Sequence, residues 1–133
     1  MSPNTSRVFV FDWDGTLIDS VPRIVACLRR AALDLELDDL GDAGFGDVIG
    51  LGLPQVVTRL YPHLDAVRAE LYRERYVVHF AAGTEQPSLL FPSALEVLRA
   101  LRSRGHRLAV ATGKSRRGLD RALAELGDRK AHV

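Results

Sequence analysis

The chain has 133 residues, 47% of them hydrophobic and 26% charged, with a formal net charge of +1. That balance fits one modest core or two small lobes, and it gives no electrostatic reason to expect nucleic acid or an anionic membrane as a partner. No apolar stretch approaches the roughly 18 residues of a membrane span. "MSPNTSR" lacks the basic-then-apolar order of a secretory signal. The single cysteine, Cys27, cannot close an internal disulfide, so a reducing, cytoplasmic setting is expected.

In chain order, Val8 to Phe11 form a short continuous apolar run, the mark of a strand covered on both faces as in a parallel sheet. Asp14-Gly15 breaks the run. Asp19 or Ser20 is placed to cap a helix that tolerates Pro22 in its first turn. Val21, Ile24, Val25, Leu28, Ala31, Ala32 and Leu35 recur at helical spacing, with Arg23, Arg29 and Arg30 off the stripe. Cys27 reads as a small buried side chain on that helix. The glycine-punctuated segment that follows predicts a short helix around Val48, another from near Pro54, and a longer one from about Asp65 to Phe80, stopping near Gly83. "GTEQPS" reads as a linker. Pro92 and Ser93 then open a helix with Ala94, Leu95, Leu98 and Leu101 on one face, and Gly105 stops it. "HRLAVAT" predicts a second short buried strand, and "GKSRRG" leads into a last helix ending at Gly127.

A strand, a helical stretch, then a helix and a strand is the grammar of a parallel α/β unit. Residues 1–18 and 88–133 are therefore expected to hold the sheet, with the helical segment 19–87 inserted between its two strands. In an open parallel sheet, ligands bind outside the carboxyl ends of the strands. Asp12 and Asp14 end the first strand, and Thr112-Gly113-Lys114 ends the second. If the strands are neighbours, two carboxylates meet a hydroxyl, a glycine amide and an ammonium. The carboxylates suit Mg2+, and the other three suit phosphate oxygens, so the set points to phosphoryl transfer. Each group also has a duller reading. Asp14-Gly15 alone is a turn, Thr112 a β-branched strand end, and Lys114-Ser115 a solvated turn. Trp13 reads as a packing residue, "SRRG" as a solvated face, and the four histidines, without metal-ligand spacing, as surface or packing residues.

"FDWDGTLIDS" is similar to the first motif of the haloacid-dehalogenase superfamily, and "LAVATGKS" resembles its second. With "IGLGLP" and the length of the insertion, the chain looks most like the phosphoglycolate-phosphatase-type hydrolases of that superfamily. The resemblance implies an α/β Rossmann-like core with a partial parallel sheet and an inserted all-helical cap. It implies an Mg2+-dependent phosphatase for a small phosphomonoester, with Asp12 as the nucleophile that becomes an aspartyl-phosphate and Asp14 as the general acid and base. The Asp12 carboxylate and the Asp14 backbone carbonyl would hold the metal. Gly15, Thr16, Thr112, Gly113 and Lys114 would bind the substrate phosphate, and the Gly50-to-Leu53 loop would discriminate substrates.

Members of the superfamily continue into a third-motif lysine and a fourth-motif acidic pair. Here only "DRKAHV" follows the last helix, and Gly127-Asp128 has no apolar strand before it. The expectation is a chain cut short after the second motif, with little catalysis in the absence of a full metal site. A competing expectation is a catalytically inactive module that self-associates through an unpaired sheet edge. A P-loop reading of "ATGKS" fails on spacing, because Leu108 stands where that motif needs a glycine.

Overall fold

The computed structural model describes residues 5–83 and 87–130. Its elements run, in chain order, β1 (Val8–Phe11), β2 (Ile18–Asp19), α1 (Val21–Asp34), α2 (Gly41–Gly46), α3 (Leu53–Leu60), α4 (Ala66–Ala82), β3 (Leu89–Leu90), α5 (Ala94–Ser103), β4 (Arg107–Val110) and α6 (Arg116–Lys130). They group into two compact units. One takes the chain up to Ser20 and from Ser88 to Thr112; the other takes Val21 to Pro87 and the chain from Gly113 onward. Thr84 to Gln86 of the expected linker, the "MSPN" of the N-terminus and His132 lie outside the described residues.

In the first unit β1 and β4 pair in parallel, from Val8 opposite Arg107 to Phe11 opposite Val110. Backbone bonds extend the ladder at both ends, Arg107 N–H to the Arg7 carbonyl and Ala111 N–H to the Phe11 carbonyl, each 2.8 Å. Helix α5 makes the return and packs against β4. Its half-buried residues, Ala94, Leu95, Leu98 and Leu101, are the face that helical periodicity picks out. Gly105, at φ 80°, ends the turn after it. The apolar run of β1 predicts cover on both faces, and that expectation is corrected. Val8 (57%) and Val10 (62%) are exposed while Phe9 and Phe11 are half-buried. The described residues build only a two-stranded parallel sheet, so one side of the run has nothing against it. A second ladder pairs β2 with β3 antiparallel, Ile18 opposite Leu90 and Asp19 opposite Leu89. Two residues a side are too few to leave an alternating pattern in the sequence.

The helical unit holds the hydrophobic core. Ile24, Val25, Leu28, Ala31, Ala32 and Leu35 of the predicted stripe are all buried and meet Phe45, Val57 and Tyr72. The Tyr72 hydroxyl donates to the Leu28 carbonyl (2.8 Å), so the buried phenol keeps a partner, and burial pushes its pKa up. Burial likewise pushes Tyr61 up to about 12, and its hydroxyl donates to the Asp38 carbonyl (2.7 Å). Asp65 caps α4 by accepting the Arg68 amide (2.8 Å), and Gly83, left-handed at φ 64°, closes it. Helix α2 precedes the position expected for it, and Val48 is buried in the turn that follows. Helix α6 runs through Gly127 to Lys130, since one glycine inside a helix costs only about 1 kcal/mol. Arg23 corrects its reading as an off-stripe residue: it is 7% exposed, pairs with Glu125 of α6 (3.2 Å) and stacks on Phe80.

The unit boundaries differ from those read in the sequence at one point that bears on the site. The chain from Gly113 on groups with the helices rather than with the strands. The Arg23–Glu125 pair ties α6 to α1, and Gly113 lies against the backbone of Gly50 and Leu51. Among the described residues no helix is long and apolar enough to cross a membrane.

Candidate active site

Because β1 and β4 are parallel neighbours, their carboxyl ends share one edge of the sheet. Asp12 follows β1 directly, and Thr112 lies two residues beyond β4, across the strand spacing of ~4.8 Å. The segment after Asp12 folds back tightly. The carbonyl of Trp13 accepts the amides of Thr16 (3.2 Å), Leu17 (3.1 Å) and Ile18 (3.2 Å), while the Gly15 amide reaches the Ile18 carbonyl (2.9 Å). Gly15 sits at φ 78°, a left-handed conformation that glycine takes without steric cost. The turn and the acidic pair are thus one feature. Burying Trp13 between the two aspartates anchors the loop that carries them.

The two carboxylates have different surroundings. Asp12 is exposed, with one oxygen taking the Trp13 amide (2.8 Å) and the other 3.5 Å from the Thr16 hydroxyl, at the limit of a hydrogen bond. Asp14 is half-buried and accepts a 2.6 Å bond from the Ser20 hydroxyl. A short bond to a carboxylate is of the stronger kind, and it fixes the direction of that side chain. Ser20 stands at the start of α1, where the sequence offers it only as a cap. The i, i+6 spacing to Asp14 is the signal that could have found it, but only once the turn between them is known.

Of the residues singled out in the sequence, Asp12, Asp14, Gly15, Thr16 and Thr112 belong to the strand unit. Gly113 and Lys114 group with the helices, joined to Thr112 by the chain itself. Two hard-oxygen carboxylates at one strand tip fit Mg2+, which binds through one or two carboxylates and completes its shell with water and phosphate oxygens. Asp12 and Asp14 would be the donors for such an ion; among the described residues no three His, Cys, Asp or Glu gather into an all-protein cage.

A model of haloacid dehalogenase-like hydrolases matches residues 6–133. The chain belongs to the haloacid dehalogenase-like hydrolase family. A phosphoglycolate phosphatase of Rhodospirillum rubrum is 31% identical over 127 residues, covering 90% of this chain and 52% of that protein. The plasmid phosphoglycolate phosphatase of Cupriavidus necator is 35% identical over 113 residues, covering 80% and 48%. A solved structure from Bacteroides fragilis, described as a haloacid dehalogenase-like hydrolase, superposes with a TM-score of 0.81 at 28% identity, covering 90% and 57%. A hydrolase from Pseudomonas syringae shares the fold with a TM-score of 0.74 at 23% identity, covering 84% and 52%. The chain spans about half the length of the curated relatives it matches.

Proposed function

We propose that this family member carries the reacting groups of an Mg2+-dependent phosphomonoester hydrolase, with 2-phosphoglycolate or a similarly small phosphate ester as substrate. A lone pair of the Asp12 carboxylate attacks phosphorus, and the bond from phosphorus to the ester oxygen breaks. The departing alkoxide takes its proton from Asp14. Asp14, now a carboxylate, removes a proton from water as that water attacks the aspartyl-phosphate. Inorganic phosphate leaves and Asp12 is regenerated. Thr112 and the Gly113 amide hold phosphoryl oxygens, Lys114 offsets their charge, and Gly15 and Thr16 contribute to phosphate binding from the turn after Asp12. The Asp12 carboxylate and the Asp14 backbone carbonyl would hold Mg2+, which would supply positive charge between an anionic nucleophile and an anionic phosphate.

The observation that carries this reading is the asymmetry of the acidic pair, in which Asp12 is open for attack while Asp14 is steered by Ser20. The relatives named phosphoglycolate phosphatases support the substrate class. The test is release of inorganic phosphate from 2-phosphoglycolate with and without Mg2+. Turnover that needs the metal and disappears in Asp12→Asn supports the proposal; turnover that survives Asp12→Asn refutes it.

Among the described residues β1 pairs on one edge only, with β4, and that favours a second reading, self-association through the other edge of β1. Sedimentation showing a concentration-dependent oligomer without phosphate release supports that reading over the first.

A further inference from the structure

The helical unit contains a buried guanidinium that the reaction scheme does not use, on the same ring as the lysine that it does use. The guanidinium of Arg23 lies 4.0 Å from the centroid of the Phe80 ring, and the Lys114 ammonium lies 5.0 Å from the same centroid. Arg23 is almost fully buried. It donates from Nη2 to the Phe80 carbonyl (2.7 Å) and from Nη1 to Glu125 Oε2 (3.2 Å), while its Nε has no hydrogen-bond partner among the described residues. Burying a guanidinium against one partly exposed carboxylate is a weak source of stability. What the arrangement achieves is a fixed ring. Arg23 holds Phe80 both by its backbone carbonyl and by its aromatic face, and Phe80 presents the same ring to Lys114.

The residue next to Lys114 is held as well. A Cβ on Gly113 would come within 2.7 Å of the Gly50 carbonyl oxygen and 2.9 Å of the Leu51 carbonyl carbon, so only glycine allows this close approach. The Gly113-Lys114 pair is therefore gripped twice by the helical unit, at one backbone and at one side chain. A lysine has a long flexible stem, and ordering it costs conformational entropy. An aromatic face attracts the ammonium through the ring quadrupole, and an ammonium has three N–H donors to turn toward oxygen ligands.

We propose that Phe80 is a positioning residue that seats the Lys114 ammonium for phosphate, with Arg23 as its brace. The inference rests on the reading of Lys114 as a phosphate-binding residue. The test uses the full chain with isotope-labelled lysine, followed by NMR during titration with inorganic phosphate and Mg2+. In the wild type the Lys114 side-chain protons are expected upfield, shifted by the ring, and they move on phosphate addition. Phe80→Leu removes the upfield shift and weakens phosphate binding about threefold to tenfold, while Phe80→Tyr retains both. Lys114→Gln weakens binding by itself, and adding Phe80→Leu to it weakens binding no further, a comparison that separates positioning from a general loss of fold. An ordinary Lys114 shift in the wild type, or Phe80→Leu binding phosphate as the wild type does, overturns the inference alone. A Lys114 resonance shifted by the ring but unmoved by phosphate overturns the phosphate reading and the inference with it.

Discussion

Ser20 occupies a helix-cap position, yet its hydroxyl goes to Asp14 at 2.6 Å. Under the proposed scheme that bond holds a proton-transfer group in line with the ester oxygen, and misplacing such a group slows the chemical step more than it weakens binding. Ser20→Ala is expected to lower kcat by about tenfold, the upper end of what a typical net hydrogen bond contributes, with KM little changed. Steady-state kinetics check this, and an unaltered kcat removes Ser20 from the mechanism. At this scale the sequence singles out Asp12 and Asp14 as candidates, because two carboxylates ending an apolar run have few structural explanations. Ser20 and Phe80 are hidden in it. Their significance comes from a turn and a ring contact that bring together residues distant in the chain, and no local pattern encodes either.

Among the elements, α1 and α4 are joined at their C-terminal ends by Asp34, whose Oδ2 lies 2.7 Å from both His79 Nε2 and Arg75 Nε. The His79 hydrogen bond, then that of Arg75, holds the Asp34 carboxyl below its ordinary 3.8. A carboxylate with a depressed pKa in the folded state adds stability that is present above its unfolded value and lost as pH falls through its folded value. The urea midpoint is therefore expected to fall as pH drops below about 4. Asp34→Asn should remove this part of the acid dependence. An acid limb unchanged in Asp34→Asn contradicts the assignment. Helices were the legible elements here: the stripe of α1, the Asp65 cap and the Gly83 stop all carry strong local signals. Helix α2 was less so, because glycines punctuate its segment without marking a cap, and tertiary burial of Phe45 and Val48 decides where the chain turns. Arg23 misleads for a related reason. Periodicity classifies it by charge, while its aliphatic stem and the Phe80 ring make burial tolerable.

At the scale of the described residues, the hydrophobic core cluster lies in the helical unit, while the parallel sheet is two strands wide with exposed valines on β1. Local stability should follow that division. Hydrogen exchange is expected to show weak protection at Val8 to Phe11 and strong protection in α1 around Leu28. Equal protection of both regions in a monomer contradicts it. The parallel pairing of β1 with β4 was legible from two short apolar runs separated by a helical insertion; the open face was not, because a continuous apolar run records what a strand can bury and not what is there to cover it. The proposed chemistry requires the tip of β1 to accept a phosphoryl group on Asp12 with the aid of Mg2+. Trifluoroberyllate, which mimics a phosphoryl group on a carboxylate, tests it without requiring turnover. A bound fluorine NMR signal that appears only with Mg2+ and is absent in Asp12→Asn is the predicted result. No metal-dependent signal in the wild-type chain, or the same signal in Asp12→Asn, contradicts the account.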